Sequence, residues 1–320
     1  MSSSVRLRDR LLRDGSRTLA GRVLFSIAGF AVNVLLTRLL APTEVAGYFL
    51  LVSLVTIVSM VAQLGLPTSV VRFTAESLGQ SLNGRAAGAI HGAILCGLAS
   101  GVLAGGILAL AGRPALRTWS ALDFDGYIYG VAGLWVAALV LGGVVAESFR
   151  GLRDSLLAAV FGGALTNSLL VVLLIGGLLI PRVRGLHEVL TLAATAALGN
   201  VALGSWLLRG KLQGLRPAER FRVRELLAAS WPLMITSLAI FVATQADLWI
   251  AASLLSREEV ALYGAAARMV QLVLMPILIL NLVLLPLVAE LQGRYRQPDM
   301  EELFFDLISR SEHEPAVPAC

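Results

Sequence analysis

Apolar residues in this chain are gathered into long runs that short polar stretches separate. Each run has about 20 residues or more, enough for a helix to cross a hydrocarbon core about 30 Å thick. The runs are Thr18 to Leu40, Val45 to Leu66, Ala87 to Ala111, Tyr127 to Ala146, Leu156 to Ile180, Glu188 to Leu208, Leu226 to Leu255 and Val260 to Val288. The pattern predicts an all-α polytopic membrane protein with about eight transmembrane helices.

The composition supports this interpretation and excludes an ordinary soluble protein. Hydrophobic residues make up 57% of the 320 positions and charged residues only 15%, with a mean hydropathy of +0.79. Soluble domains are about 45–50% apolar and about 25% charged. The two cysteines, Cys96 and Cys320, indicate neither a disulfide framework nor a thiolate metal site, and we expect no cofactor.

The basic residues are distributed unevenly between the two sides of the predicted helices. Nineteen lie on the side that carries both termini and six on the other, so the positive-inside rule predicts cytoplasmic termini. This distribution explains the net charge of +5 without a nucleic-acid partner. Residues 1–17 contain five arginines and no cleavage signal, which favours an amphipathic segment on the inner surface over a signal peptide.

The chain contains an internal repeat. Leu39 to Tyr48 (LLAPTEVAGY) recurs as Leu254 to Tyr263 (LLSREEVALY), 215 positions later. A second match, of Ala75 to Gly79 with Ala289 to Gly293, has an offset of 214. The first two helices thus correspond to the seventh and eighth, which predicts a six-helix repeat unit and parallel lobes related by an axis along the membrane normal.

The repeat suggests a division of the chain into five segments. They are a cytoplasmic amphipathic N-terminus (1–17), a first six-helix lobe (18–209), a basic cytoplasmic linker (210–225), the first hairpin of an incomplete second lobe (226–288) and a cytoplasmic tail (289–320). A complete second copy would need about four more helices, so we expect one whole lobe and the first third of another, as in a C-terminally truncated copy.

Several segments resemble bacterial polysaccharide biosynthesis proteins, the O-antigen and exopolysaccharide flippases. The matching positions are Leu39 to Tyr48, Gly65 to Pro67, Arg72 to Glu76, Pro232 to Met234, Asp247, Tyr263 to Arg268 and Pro286 to Glu290. The resemblance implies the fold of the multidrug/oligosaccharidyl-lipid/polysaccharide exporters, with two six-helix lobes in a V. It also implies alternating-access transport of undecaprenyl-diphosphate-linked oligosaccharide across the bacterial inner membrane. The implied partners are this lipid, membrane lipids, and a glycan polymerase or glycosyltransferase.

Asp247 and Arg268 are the clearest candidate site residues. They lie at equal distances from the turn between the seventh and eighth helices, so both are expected near the bilayer centre. An ionisable residue at that depth costs about 2.5–3.5 kcal/mol on insertion scales and needs a partner or a function. The two could simply neutralise each other, or Arg268 could offer a positive charge to a substrate phosphate while Asp247 holds it or couples to an ion.

Four further residues are candidates for the same cavity. Asn33 lies in the corresponding region of the first repeat. Arg22, Arg38 and Arg72 could meet a diphosphate, although snorkelling to the membrane interface explains Arg22 and Arg38, and topology charge explains Arg72, at least as simply.

The remaining polar residues suggest structural roles. His91, Asn167 and Asn200 favour interhelical hydrogen bonds, and Asp125 is expected to be solvated in an outer loop. The series Gly97, Gly101 and Gly105 favours a close helix contact.

No motif indicates an enzyme: the nearest approach to a nucleotide loop lacks its glycine, and no zinc helix occurs. Two alternatives to the flippase remain open. One is a cation-coupled drug exporter of the same fold, which would favour an acidic mid-membrane site in the first lobe. The other is a non-transporting membrane partner in a glycan-assembly complex.

Overall fold

The structure is a computed structural model in which the described part of the chain is helical. It describes residues 21, 23–116, 124–179, 185–214, 223–256, 258–267 and 269–270, and these contain no strand. Residues 1–270 form one compact unit and residues 271–320 a second, which lies outside the described residues. The all-α fold predicted from the apolar runs is confirmed.

The helices follow one another with short connections. In chain order they are α1 (Val23–Leu39), α2 (Pro42–Ala62), α3 (Leu66–Gly79), α4 (Asn83–Leu116), α5 (Gly126–Gly151), α6 (Ser155–Ala159), a π-helical turn (Val160–Ala164), α7 (Leu165–Leu179), α8 (Leu186–Leu212) and α9 (Val223–Leu254), followed by α10, of which 258–267 are described as helix.

Five of the predicted membrane spans correspond to helices that are long and apolar enough to cross a bilayer. They are α2, α4, α5, the continuous stretch from α6 to α7, and α8; α1 is apolar but shorter in its described part. At about 1.5 Å per residue, the 32 residues of α9 also exceed the thickness of a hydrocarbon core. These helices make the chain a multi-pass membrane protein. Most of the eighth predicted span lies outside the described residues.

Helix α3 is a correction to the predicted pattern. The second apolar run was expected to continue to Leu66, but α2 ends at Ala62 and a separate 14-residue helix begins at Leu66. Gly65 makes this corner possible because its φ of 73° lies in the left-handed region. Pro67 then falls in the first turn of α3, where a missing N–H costs nothing.

The ends of the helices define two sides of the molecule. On one, which we call the turn side, the starts of α2, α5 and α8 meet: Glu44 Oε1 lies 3.4 Å from the N–H nitrogen of Leu186, and Asp125 lies 2.9 Å from His187. On the other, the linker side, Lys211 at the end of α8 contacts Asp154 between α5 and α6. The long, membrane-spanning helices therefore run in alternating directions, as membrane spans must.

Helix α5 lies at the centre of helices α1 to α8, which we call the first lobe, and its most extensive contact is with α4. The predicted contact of the glycine series is confirmed: Gly97, Gly101 and Gly105 all face α5. A Cβ at Gly105 would lie 3.0 Å from the carbonyl carbon of Gly133 and would overlap the carbonyl oxygen. Small residues thus let two backbones approach within a membrane-spanning pair.

The π-helical turn interrupts the fifth span near the linker side. Gly163 has a φ of 128°, which breaks the regular helix. Buried Asn200 of α8 donates from Nδ2 to the carbonyl oxygen of Phe161 at 3.0 Å, and Asn167 donates to the carbonyl oxygen of Phe25 of α1 at 3.3 Å. The interhelical role predicted for the two asparagines is confirmed.

Candidate functional site

The hairpin α9–α10 repeats the hairpin α1–α2 in its local structure. Helix α1 ends at Leu39 and α9 ends at Leu254, which are 215 positions apart. In the first turn of α2, Glu44 accepts a hydrogen bond from the N–H of Ala41 at 3.0 Å. The equivalent Glu259 accepts one from the N–H of Ser256 at 2.9 Å. The same N-terminal capping therefore ends both turns.

The second hairpin packs directly on the first lobe along a line that we call the seam, formed by α2 and α3 on one side and α9 and α10 on the other. Near the middle of α2, Trp249 donates from Nε1 to Ser53 Oγ at 2.9 Å. Towards the linker side, the buried hydroxyl oxygens of Ser69 and Ser230 lie 2.7 Å apart. The seam thus carries specific polar contacts at two levels along its length.

Two glycines bring the backbones together along the seam. A Cβ at Gly65 would overlap the carbonyl oxygen of Ser230 and would lie 3.1 Å from its carbonyl carbon. A Cβ at Gly264 of α10 would lie 2.7 Å from Cδ2 of Phe49, whose side chain is only 3% exposed. A side chain at Gly65 would need the opposing backbone to move, and one at Gly264 would need the ring of Phe49 to move.

Asp247 is exposed on α9 and is held by its own hairpin. The hydroxyl of Tyr263 on α10 donates to Asp247 Oδ2 at 2.8 Å, and the N–H of Leu248 donates to Oδ1, also at 2.8 Å. Trp249, which binds Ser53, lies two residues further on and hence roughly on the opposite face of α9. The carboxylate therefore points away from α2. Its predicted pairing with Arg268 stays a prediction, because Arg268 lies outside the described residues.

Three of the other predicted cavity residues are described by the structure, and they lie at separate places. Asn33 donates from Nδ2 to the carbonyl oxygen of Gly29 within α1 at 2.8 Å. Arg38, at the turn-side end of α1, and Arg72, on α3, are exposed and make no hydrogen bond or ion pair with a described residue. Arg22 lies outside the described residues.

One predicted hydrogen bond has a different geometry in the structure. His91 was expected to bond between helices, but its Nδ1 lies 2.8 Å from the carbonyl oxygen of Ala87 in the same helix. A polar side chain four residues after a carbonyl can bond within its own helix, so its presence in a span does not require a neighbouring helix.

Asp125 is exposed, as predicted, and it also has hydrogen-bond partners. Its Oδ1 accepts a hydrogen bond from the N–H of Ile128 and caps α5, while Oδ2 lies 2.9 Å from His187 Nε2. The hydrogen bond to His187, assisted by the helix cap, lowers the pKa of Asp125. The ring of Tyr127 lies against His187, with centroids 5.5 Å apart. This group ties the starts of α5 and α8 together on the turn side.

Three ion pairs on the linker side were not predicted from the sequence. Lys211 Nζ lies 2.8 Å from Asp154, Arg150 contacts Glu147 within α5 at 2.6 Å, and Arg85 of α4 lies 3.9 Å from Glu225 at the start of α9. Only the Glu147 and Arg150 pair has a local signal, the i,i+3 spacing. Within the described residues, no group of His, Cys, Asp and Glu is placed to hold a metal ion.

Comparison with a family model identifies the chain over most of its length. Residues 11–292 match the model described as polysaccharide biosynthesis protein. No curated protein matches the chain.

Solved transporters share the fold. An outward-facing multidrug resistance MATE family transporter of the MOP superfamily has a TM-score of 0.65 at 18% identity, and a MATE in complex with MaL6 has 0.66 at 17%. A MOP superfamily transporter from Pyrococcus furiosus has 0.54 at 17%. Each alignment covers 85% of this chain and 62% of the solved one, so the chain spans about three fifths of the length of these relatives.

Proposed function

Because the chain belongs to the polysaccharide biosynthesis protein family, we propose that it moves a lipid-linked oligosaccharide of the undecaprenyl-diphosphate type across a bacterial inner membrane. The family match over residues 11–292 is the observation that carries this proposal. The transporter fold shared with solved MOP superfamily proteins and the repeated hairpins agree with transport by alternating access, in which one lobe rocks against the other.

Arg268 is our first choice for the residue that binds the substrate diphosphate. By the offset of 215, position 268 is equivalent to Ser53, whose hydroxyl accepts the hydrogen bond of Trp249 across the seam. Gly264 contacts α2. Position 268 lies about one helical turn after Gly264, so the two positions share a face of α10. A guanidinium there offers the planar donor pair that suits a phosphate.

The other candidates take supporting roles in this proposal. Asp247, bound by Tyr263, fixes α9 to α10 and so sets the direction of the helix that carries Arg268. Arg72 and Arg38 are exposed near opposite ends of the first lobe, where they can attract the charged headgroup before and after transport. Cytoplasmic termini, which the distribution of arginines favours, would make the linker side the entry side.

A strain that lacks its own polysaccharide flippase provides the test. The full-length protein is expected to restore surface glycan, Arg268→Ala to abolish it, and Arg268→Lys to retain part of it because the charge remains. Arg209→Ala, at the exposed linker-side end of α8, is the matched control and should behave as the wild type. Wild-type surface glycan in Arg268→Ala cells would contradict the assignment of Arg268.

A cation-coupled drug exporter is the second candidate, favoured by the multidrug transporters among the solved structures of this fold. The same strain distinguishes the two functions when ethidium efflux is measured beside surface glycan. Efflux without restored glycan would favour the drug exporter and would overturn the proposed substrate.

A further inference from the structure

The repeat holds closely enough in the structure to relate individual contacts. The offset of 215 relates the ends of α1 and α9 and the capping glutamates Glu44 and Glu259. It also relates buried Val45 to buried Val260, and these residues are 4% and 2% exposed. Equivalent residues of α2 and α10 can therefore be identified position by position through this region.

Phe49 and Gly264 are equivalent positions under this offset, and they are also the two residues that touch. Two parallel repeats are related by a rotation about an axis along the membrane normal. A two-fold rotation exchanges equivalent positions, so a contact between them maps onto itself and must lie on the axis. The contact of Phe49 with Gly264 therefore marks where the pseudo-two-fold axis passes between α2 and α10.

The two residues differ because the axis has room for one side chain only. A Cβ at Gly264 would lie 2.7 Å from Cδ2 and 3.3 Å from Cγ of Phe49. The repeat keeps Tyr48 and Tyr263 alike immediately before these positions, yet replaces phenylalanine by glycine at the next one. One lobe thus supplies a ring and the other the space that the ring fills.

We propose that Phe49 and Gly264 form a plug that closes the turn-side end of the passage between the two lobes. The plug lies seven residues into α2, about 10 Å along the helix from its turn-side start. One turn deeper, the bond from Trp249 to Ser53 holds the same seam together. This inference rests on the proposed transport function, because a substrate crossing between the lobes must pass the axis, and the two repeats meet there directly.

Cysteine cross-linking tests the contact without any transport assay. In a background with Cys96→Ala and Cys320→Ser, the pair Phe49→Cys and Gly264→Cys is expected to form a disulfide rapidly in membranes under mild oxidation. Phe49→Cys paired with Met269→Cys, an exposed position on the same helix, is the matched control and should not cross-link. Absence of the first cross-link would overturn the proposal.

Labelling of a cysteine at position 53 tests whether the plug closes the passage. Ser53→Cys, at a residue only 2% exposed, should react several-fold faster with a membrane-impermeant maleimide applied from the turn side when Gly264→Leu wedges the plug open. Phe49→Ala should reverse much of this gain in the Gly264→Leu protein, because it vacates the space that leucine needs. Gly106→Leu, at a glycine of α4 with no neighbour within 4 Å, is the control. Equal labelling of the Gly264→Leu and Gly106→Leu proteins would contradict a plug.

A transport assay then distinguishes failure of the plug proposal from failure of the proposed function. The cross-linked protein is expected to lose translocation of lipid-linked oligosaccharide in vesicles and to recover it on reduction. Translocation that continues at the uncross-linked rate would overturn the plug. If the disulfide forms and the labelling responds as expected while neither form moves the lipid, the plug stands and the proposed substrate fails.

Discussion

Substitution of one glycine in α4 should loosen the first lobe, whereas the same substitution at the next residue should not. Gly105→Ala places a methyl group 3.0 Å from the carbonyl carbon of Gly133, and closer still to the oxygen. Gly106→Ala places its methyl where no atom lies within 4 Å. Both changes have the same effect on helix propensity, so the difference between them reports the contact of α4 with α5.

The expected loss of unfolding free energy follows from the distance that the helices must move. Carbon atoms in contact prefer about 3.5–4.0 Å, so α4 must retreat by roughly 0.5–1 Å, and a gap of this size forfeits a quarter to a half of each affected dispersion contact. Overpacking of this kind typically costs about 1–3 kcal/mol. We therefore expect Gly105→Ala to lower the free energy of unfolding by that amount, and Gly106→Ala to change it by less than about 0.5 kcal/mol.

Equilibrium unfolding in mixed detergent micelles measures both variants. Gly133→Ala should cost a similar amount, since a Cβ there would lie 3.0 Å from the carbonyl carbon of Gly105. The double variant should cost less than the sum of the two, because helices already separated by one methyl group have room for the other. Equal losses of unfolding free energy in Gly105→Ala and Gly106→Ala would refute the reasoning. Strict additivity of the losses from Gly105→Ala and Gly133→Ala would also refute it.

Three further predictions concern other parts of the fold. The hydrogen bond to His187 lowers the pKa of Asp125, so the ionised carboxylate stabilises the folded protein. This contribution should be fully present above the ordinary aspartate pKa of about 3.9 and should disappear as the pH falls through the lowered pKa. The unfolding midpoint of the wild type should therefore drop below pH 4 more steeply than that of Asp125→Asn, and parallel curves would contradict this. Asn200→Ala removes the hydrogen bond to the carbonyl oxygen of Phe161 in the π-helical turn and should cost about 0.5–1.5 kcal/mol of unfolding free energy, measured in the same micelles. A fully stable variant would show that the turn does not need the amide. A periplasmic reporter should be active in the loop 117–123 and silent in the linker 215–222, and the opposite result would invert the proposed topology.

Helix positions in the first lobe could be predicted because a bilayer requires long apolar segments. Helix α3 could not, because its 14 residues are too few to span a membrane and alternate polar with apolar positions. The repeat predicted that the second hairpin would resemble the first, and the capping by Glu44 and Glu259 confirms this. Hydrogen-bond partners were harder to predict: Asn167 and Asn200 bond to other helices, but His91 bonds within its own.

The candidate site shows why depth alone cannot identify a pair of interacting charges. Equal distance from a turn places Asp247 and Arg268 at one level of the membrane but does not say which way each points. The repeat supplies that information: Asp247 is equivalent to Val32, which is 6% exposed in the core of the first lobe, whereas Arg268 is equivalent to Ser53, which bonds across the seam. By this comparison Asp247 is directed into its own lobe, where Tyr263 binds it. For Arg268 we propose the other direction, towards the opposite lobe. A positive charge that faces the axis would be available to a diphosphate, and this is the role that we propose for Arg268.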